Sequence, residues 1–83
     1  MTRDDVSKRF IEIVAIQIGI DDNEISETDR FRESLSCDSL DLIELVMECE
    51  DEFELSISDE EAEKMETVGQ AIDAIIEKYN ETR

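Results

Sequence analysis

Eighty-three residues suffice for one domain around one modest core, near the lower end at which a chain folds without disulfide or metal staples. Twenty-five acidic residues against eight basic ones give a formal charge of −17, which argues against nucleic acid or anionic membrane as a partner and favours proteins with basic patches. There is no histidine, the commonest general base and metal ligand, so neither a self-contained hydrolase nor a metal site is expected.

Proline is absent, glycine occurs twice, and apolar residues recur at helical spacing, so the expected class is all-α. No apolar run reaches the length of a membrane span, and Met1 to Asp5 lacks the apolar stretch of a signal peptide. A cytoplasmic protein without membrane insertion is the default expectation. Cys37 and Cys49 have neither zinc-ligand spacing nor the density of a secreted scaffold, and both read as reduced thiols. The large charge of one sign opposes compactness by self-repulsion, so salt or magnesium is expected to raise the melting temperature without a dedicated site.

Thr2 and Asp5 have the spacing of a capping box with a shortened acid, and Val6, Phe10, Ile13, Val14 and Ile18 then fall on one side of a helix ending near Gly19. Gln17 lies within that stripe and needs hydrogen-bond partners or a place at its rim. Ile11 and Ile16 lie off it. From Gly19 to Asp38 the chain is polar and irregular, but Ile20, Ile25, Phe31 and Leu35 are apolar anchors that predict a loop pinned across the helix ends. A short helical turn is expected at 26–28.

The second helix is predicted from Ser39 to about Phe53, with Leu42, Val46, Cys49 and Phe53 as its core face and Leu45 and Ile43 at the edges. Leu40, Glu44, Met47 and Asp51 recur on the opposite face. Two large apolar groups rimmed by Asp38, Asp41, Glu44, Glu48 and Asp51 have the character of an apolar anchor in an acidic frame, which suits a partner-binding surface. Methionine suits a surface that meets several partners. Ser39, at the helix start, has two readings: an N-cap, or a hydroxyl beside free N–H groups and the positive end of the helix dipole, where a phosphodiester is favoured.

Ser58-Asp59-Glu60-Glu61 is a capping box that opens a short helix to about Lys64, preceded by Ile57 as a hydrophobic staple. Thr67 to Gln70 is another, launching a last helix with Val68, Ala71, Ile72, Ile75 and Tyr79 inward. Gly69 weakens that helix slightly. The expected architecture is a bundle of three longer helices and one short one, with a long loop between the first two.

The segment Asp38-Ser39-Leu40-Asp41, continued by Ile43-Glu44-Leu45-Val46-Met47, resembles the prosthetic-group attachment region of acyl carrier proteins. Glu50-Asp51-Glu52-Phe53, Ile57, Asp59 to Lys64 and Thr67-Val68 continue the type II fatty-acid-synthesis pattern. Gln17 to Ile20, Phe31 and Leu35 resemble the end of helix one and the packed loop. The resemblance covers most of the chain and implies a single carrier domain over residues 1–83, expected to be a monomer.

It also implies that 4′-phosphopantetheine is esterified to Ser39, flanked by Asp38 and Leu40, by a phosphopantetheinyl transferase that uses coenzyme A and magnesium. Acyl intermediates are then held as thioesters on that arm for fatty-acid, polyketide or related synthases, reductases or ligases, and the chain itself is no enzyme. Tethering raises the effective concentration of the cargo at each active site. Basic docking patches of those enzymes would meet Leu40, Asp41, Ile43, Glu44, Met47, Glu48, Asp51 and Ile57. Departures are Ser36 and Cys37 where the family commonly has glycine and a small residue, Ser34 where an acid is frequent, and Ser58 in place of a common proline. Any special backbone angle that glycine would permit at position 36 is costly for serine, and Cys37 is expected to be exposed. These point to a specialised carrier. Val46, Cys49, Met65 and Ile72 are the expected shapers of an acyl cavity. The competing hypothesis is an acidic interaction module that carries no prosthetic group. Calcium binding lacks support, since no stretch has the ligand alternation of an EF-hand loop.

Overall fold

The computed structural model describes residues 2–82. Four helices run in chain order, α1 (Arg3–Ile18), α2 (Ser39–Phe53), α3 (Asp59–Glu63) and α4 (Val68–Thr82), with a 3₁₀ turn (Asp22–Glu24) in the first loop. No strand forms among the described residues; there is one isolated bridge, between Arg30 and Thr67.

Each helix start follows from local chemistry. Thr2 and Asp5 exchange side-chain and backbone hydrogen bonds at the head of α1, and Gly19 closes that helix in the left-handed conformation at φ 77°. Ser58 with Glu61 and Thr67 with Gln70 form the same reciprocal box for α3 and α4. In α2 the cap is Asp38, boxed with Asp41, so Ser39 is the first residue inside the helix.

α1 packs against both α2 and α4. The core gathers Val6, Phe10 and Val14 of α1, Leu45, Cys49 and Phe53 of α2, and Val68, Ala71, Ile72 and Ile75 of α4. Phe10 meets Phe31 edge to face, ring centres 6.1 Å apart. The expected core face of α2 is therefore rotated: Leu45 is 3% exposed, whereas Leu42 and Val46 are only half-buried. Leu42 packs against the core from its half-buried position, and both it and Val46 line a cleft that residues of α3 also border. Ile11 also differs from expectation, since it packs against the core while Ile16 is 84% exposed.

The first loop is pinned as its anchors predict. Ile25 and Phe31 are buried, and Ile20 and Leu35 pack against the core. The helical turn falls at Asp22–Glu24, and 26–28 belong to a hydrogen-bonded turn, closed by the Asp29 N–H donating to the Ser26 carbonyl at 3.0 Å. The loop is also sewn to the head of α4. Val68 and Gly69, whose N–H groups have no intrahelical acceptor, donate to the carbonyls of Asp29 at 3.0 Å and Glu27 at 2.8 Å. A Cβ on Gly69 would stand 3.1 Å from the Glu27 carbonyl oxygen, so glycine serves a close approach there. Arg3 adds a fork to Glu27, at 2.7 and 3.1 Å, and reaches Asp73 at 2.7 Å, joining α1, the loop and α4. The Arg3 bonds hold the Glu27 carboxyl below its usual range.

Candidate functional site

The site is the start of α2 and the cleft beside it. Asp38 Oδ1 accepts the N–H of Asp41 at 2.9 Å, and Asp41 Oδ2 accepts that of Asp38 at 3.1 Å. With the cap supplied by a neighbour, the Ser39 hydroxyl is not used in it. Ser39 is exposed, and its N–H and that of Leu40 stand in the first turn, where no intrahelical acceptor exists. The N-cap reading of Ser39 is thus replaced by Asp38. Positive helix-dipole charge and open N–H groups at this point favour an anion.

One cation stands against the hydroxyl: an Nη of Arg32 donates to Ser39 Oγ at 3.3 Å. Arg32 enters no ion pair among the described residues, whereas its neighbour Arg30 is engaged with Glu33 at 3.6 Å and Glu66 at 3.4 Å. Sequence patterning had no means to find Arg32, because an irregular loop has no period from which a side-chain direction can be read.

Behind Ser39 a cleft of about 790 Å³ opens between α2 and α3. Its walls include Leu42, Val46, Ile57, Ala62 and Met65, and its floor includes Phe10, Leu45 and Cys49. Of the four residues expected to shape it, Val46, Cys49 and Met65 do so. Ile72 does not, being wholly buried in the helix core. The cleft is apolar within and carries charge at its edge, including Arg32, Glu63 and Glu66. Glu50 Oε2 accepts the Ile57 N–H at 3.0 Å, fixing the connection that forms one end of the cleft.

The outward face of α2 is exposed as patterned. Leu40 is 62%, Met47 60% and Ile43 57% exposed, with Glu44, Glu48 and Asp51 around them. Ile43 therefore joins the outer face and is no edge of the core. Asp41 is half-buried and committed to the cap, and Ile57 is half-buried beside the cleft. Gln17 settles at the rim: its amide donates to the Glu44 carboxylate, tying α1 to the outer face of α2.

Both thiols are withdrawn. Cys37 is 4% exposed and not at the surface as expected: its N–H donates to the Phe31 carbonyl at 2.8 Å, and it belongs to the buried core cluster. Burial raises its thiol, and Asp41 and Asp38 add to the effect. Burial, with Glu48, Glu50 and Glu52 nearby, pushes the Cys49 thiol up to about 12. Ser36 does adopt the costly angle, with φ 57° in the left-handed region. Ser34 Oγ accepts the Arg30 N–H at 3.1 Å within the turn that carries Arg32. No group of three or more metal-ligating side chains occurs among the described residues, and no helix there is long and apolar enough to cross a membrane.

Comparison with known families places residues 8–75 within a model described as a phosphopantetheine attachment site. The chain is 46% identical over 77 residues to an acyl carrier protein of Rubrobacter xylanophilus, covering 93% of this chain and 95% of that protein. Its fold is similar to that of an acyl carrier protein from Thermotoga maritima, with a TM-score of 0.84 and 41% identity over 100% of this chain and 96% of the other. A thermally stable acyl carrier protein from Enterococcus faecalis gives a TM-score of 0.79 and 38% identity, over 94% of this chain and 99% of the other.

Proposed function

This chain belongs to the acyl carrier protein family, and from that premise we propose that Ser39 bears its 4′-phosphopantetheine and that the outer face of α2 is where its enzymes dock. As a member of the family it is a carrier and not a catalyst, and its cofactor is held covalently. The bound group supplies a flexible arm ending in a thiol, on which an acyl group travels as a thioester. Residues 1–83 act as one such carrier domain, in the cytoplasm and as a monomer.

The observation that carries the assignment of Ser39 is the cap made by its neighbours. Because Asp38 and Asp41 satisfy each other, the serine hydroxyl is exposed at the helix head with no structural duty in the cap. The residues around it suit a phosphodiester: open N–H groups, the positive end of a 15-residue helix, and Arg32. The cleft beside it suits the apolar part of a cargo and shields that part from water.

Leu40, Ile43 and Met47 form the apolar centre of the docking face, with Glu44, Glu48 and Asp51 as its charged frame and Asp41 and Ile57 at its margins. Such a face gains fast association from charge and short residence from its small apolar area. Its partners are a phosphopantetheinyl transferase and acyl-transferring synthases, reductases or ligases with basic patches, with fatty-acid synthesis the first pathway to examine and polyketide synthesis the second. The outer face alone would also suit an interaction module without a prosthetic group, but family membership supports the carrier.

The test is incubation of the purified protein with coenzyme A, magnesium and a phosphopantetheinyl transferase, followed by intact mass measurement. One added phosphopantetheine is expected on the wild-type chain and none on Ser39→Ala. An unmodified wild type, or a modified Ser39→Ala, refutes the assignment.

A further inference from the structure

Few places on so acidic a chain welcome another anion, and the head of α2 has carboxylates on both sides of Ser39. Asp38 precedes it as the cap, and Asp41 lies two residues on. A phosphodiester on Ser39 adds a negative charge between them. The cation against Ser39 is Arg32, whose guanidinium reaches the hydroxyl at 3.3 Å and makes no ion pair among the described residues. Arg32 and Ser39 both border the cleft between α2 and α3. The turn that presents Arg32 is itself held: Ser34 N–H donates to the Arg30 carbonyl at 2.9 Å, and Phe31 N–H to the Glu66 carbonyl at 3.1 Å.

We propose that Arg32 is the counter-ion of the phosphodiester on Ser39, a positioning residue that holds the root of the arm on the cleft side of α2. This rests on Ser39 being the attachment point. A guanidinium suits the task because its planar fork matches two phosphate oxygens, which a lysine ammonium cannot do. The pair is exposed, so its strength is modest: roughly a two- to fivefold preference for contact over release at low salt, falling towards parity as salt screens it. A weak contact fits a carrier, since the arm must leave the cleft whenever an enzyme takes the cargo.

The test begins with intact mass of the modified wild type, Arg32→Gln, Arg32→Lys and Arg9→Gln proteins and fragmentation to place the group. Failure to find it on Ser39 refutes the attachment reading and is seen before Arg32 is addressed. With the modified proteins in hand, ³¹P NMR of the phosphodiester is followed from low to high sodium chloride. The wild-type resonance is expected to move with salt, and the Arg32→Gln resonance to start near the wild-type high-salt position and stay there. Arg32→Lys should retain part of the response. Arg9→Gln, which removes a cation paired with Glu52 at 2.9 Å on another face, should behave as wild type. A resonance in Arg32→Gln with the wild-type position and salt response overturns the proposal, as does an equal change in Arg9→Gln.

Discussion

Asp38 and Asp41 each accept the other's backbone N–H, at 2.9 and 3.1 Å, and Ser39 sits between them with its hydroxyl outside the exchange. A single-residue shift in who caps the helix separates stability from function at this point. Asp38→Ala should cost about 1 kcal/mol, the usual loss of an N-cap side chain. Ser39→Ala should change stability by less than about 0.5 kcal/mol, as exposed substitutions do. Urea unfolding of the unmodified proteins measures both. The reverse order would restore the serine as the cap.

Ser36 is held at φ 57°, where a side chain is penalised and glycine is not. Ser36→Gly should therefore stabilise the protein by about 0.5–1 kcal/mol, the relief of strain exceeding the extra freedom of glycine in the unfolded chain. A rise in the urea midpoint with unchanged slope is the expected result.

Cys37 and Cys49 are buried, with thiols shifted away from the reactive thiolate. Iodoacetamide at neutral pH should leave the folded, unmodified protein unlabelled over a period in which the urea-unfolded chain takes two labels. Labelling of the folded protein at Cys37 would show that the segment before Ser39 opens readily.

Lys78 grips Glu61 at 2.7 and 2.8 Å, and with the Ser58 bonds this lowers the Glu61 carboxyl from 4.5 to about 2. A depressed carboxylate stabilises the fold above its unfolded value, and that contribution is lost as pH falls through the folded one. Glu61→Gln keeps a capping-box partner but removes the charge. The melting temperature of wild type should exceed that of Glu61→Gln at pH 7, and the gap should close between about 4.5 and about 2. A gap independent of pH would contradict the assignment of the shift to this pair.

Helix positions and three of the four caps were readable from sequence because a capping box is a local pattern, as at Thr2, Ser58 and Thr67. Asp38 to Asp41 has the same spacing and shortened acid as Thr2 to Asp5, but Ser39 beside it is an equally good cap residue by type, so the sequence leaves two candidates for one cap. The rotation of α2 was not readable, because Leu42 and Leu45 both fit an apolar stripe and only the cleft next to α3 decides which is buried. Glu27 and Gly69, Arg32 and Ser39, and the inward turn of Cys37 all depend on the path of an irregular loop. Their partners lie far along the chain or outside any period, so tertiary contact alone brings them together.

Ser39 is the proposed bearer of the arm, and Ser34 and Ser36 are the other exposed hydroxyls in the segment before it. Peptide fragmentation mass spectrometry of the enzymatically modified protein separates them directly. A single phosphopantetheine located on Ser39 and none elsewhere is the expected result. A group found on Ser34 or Ser36, or no group on a chain incubated with active transferase, would contradict the assignment of Ser39.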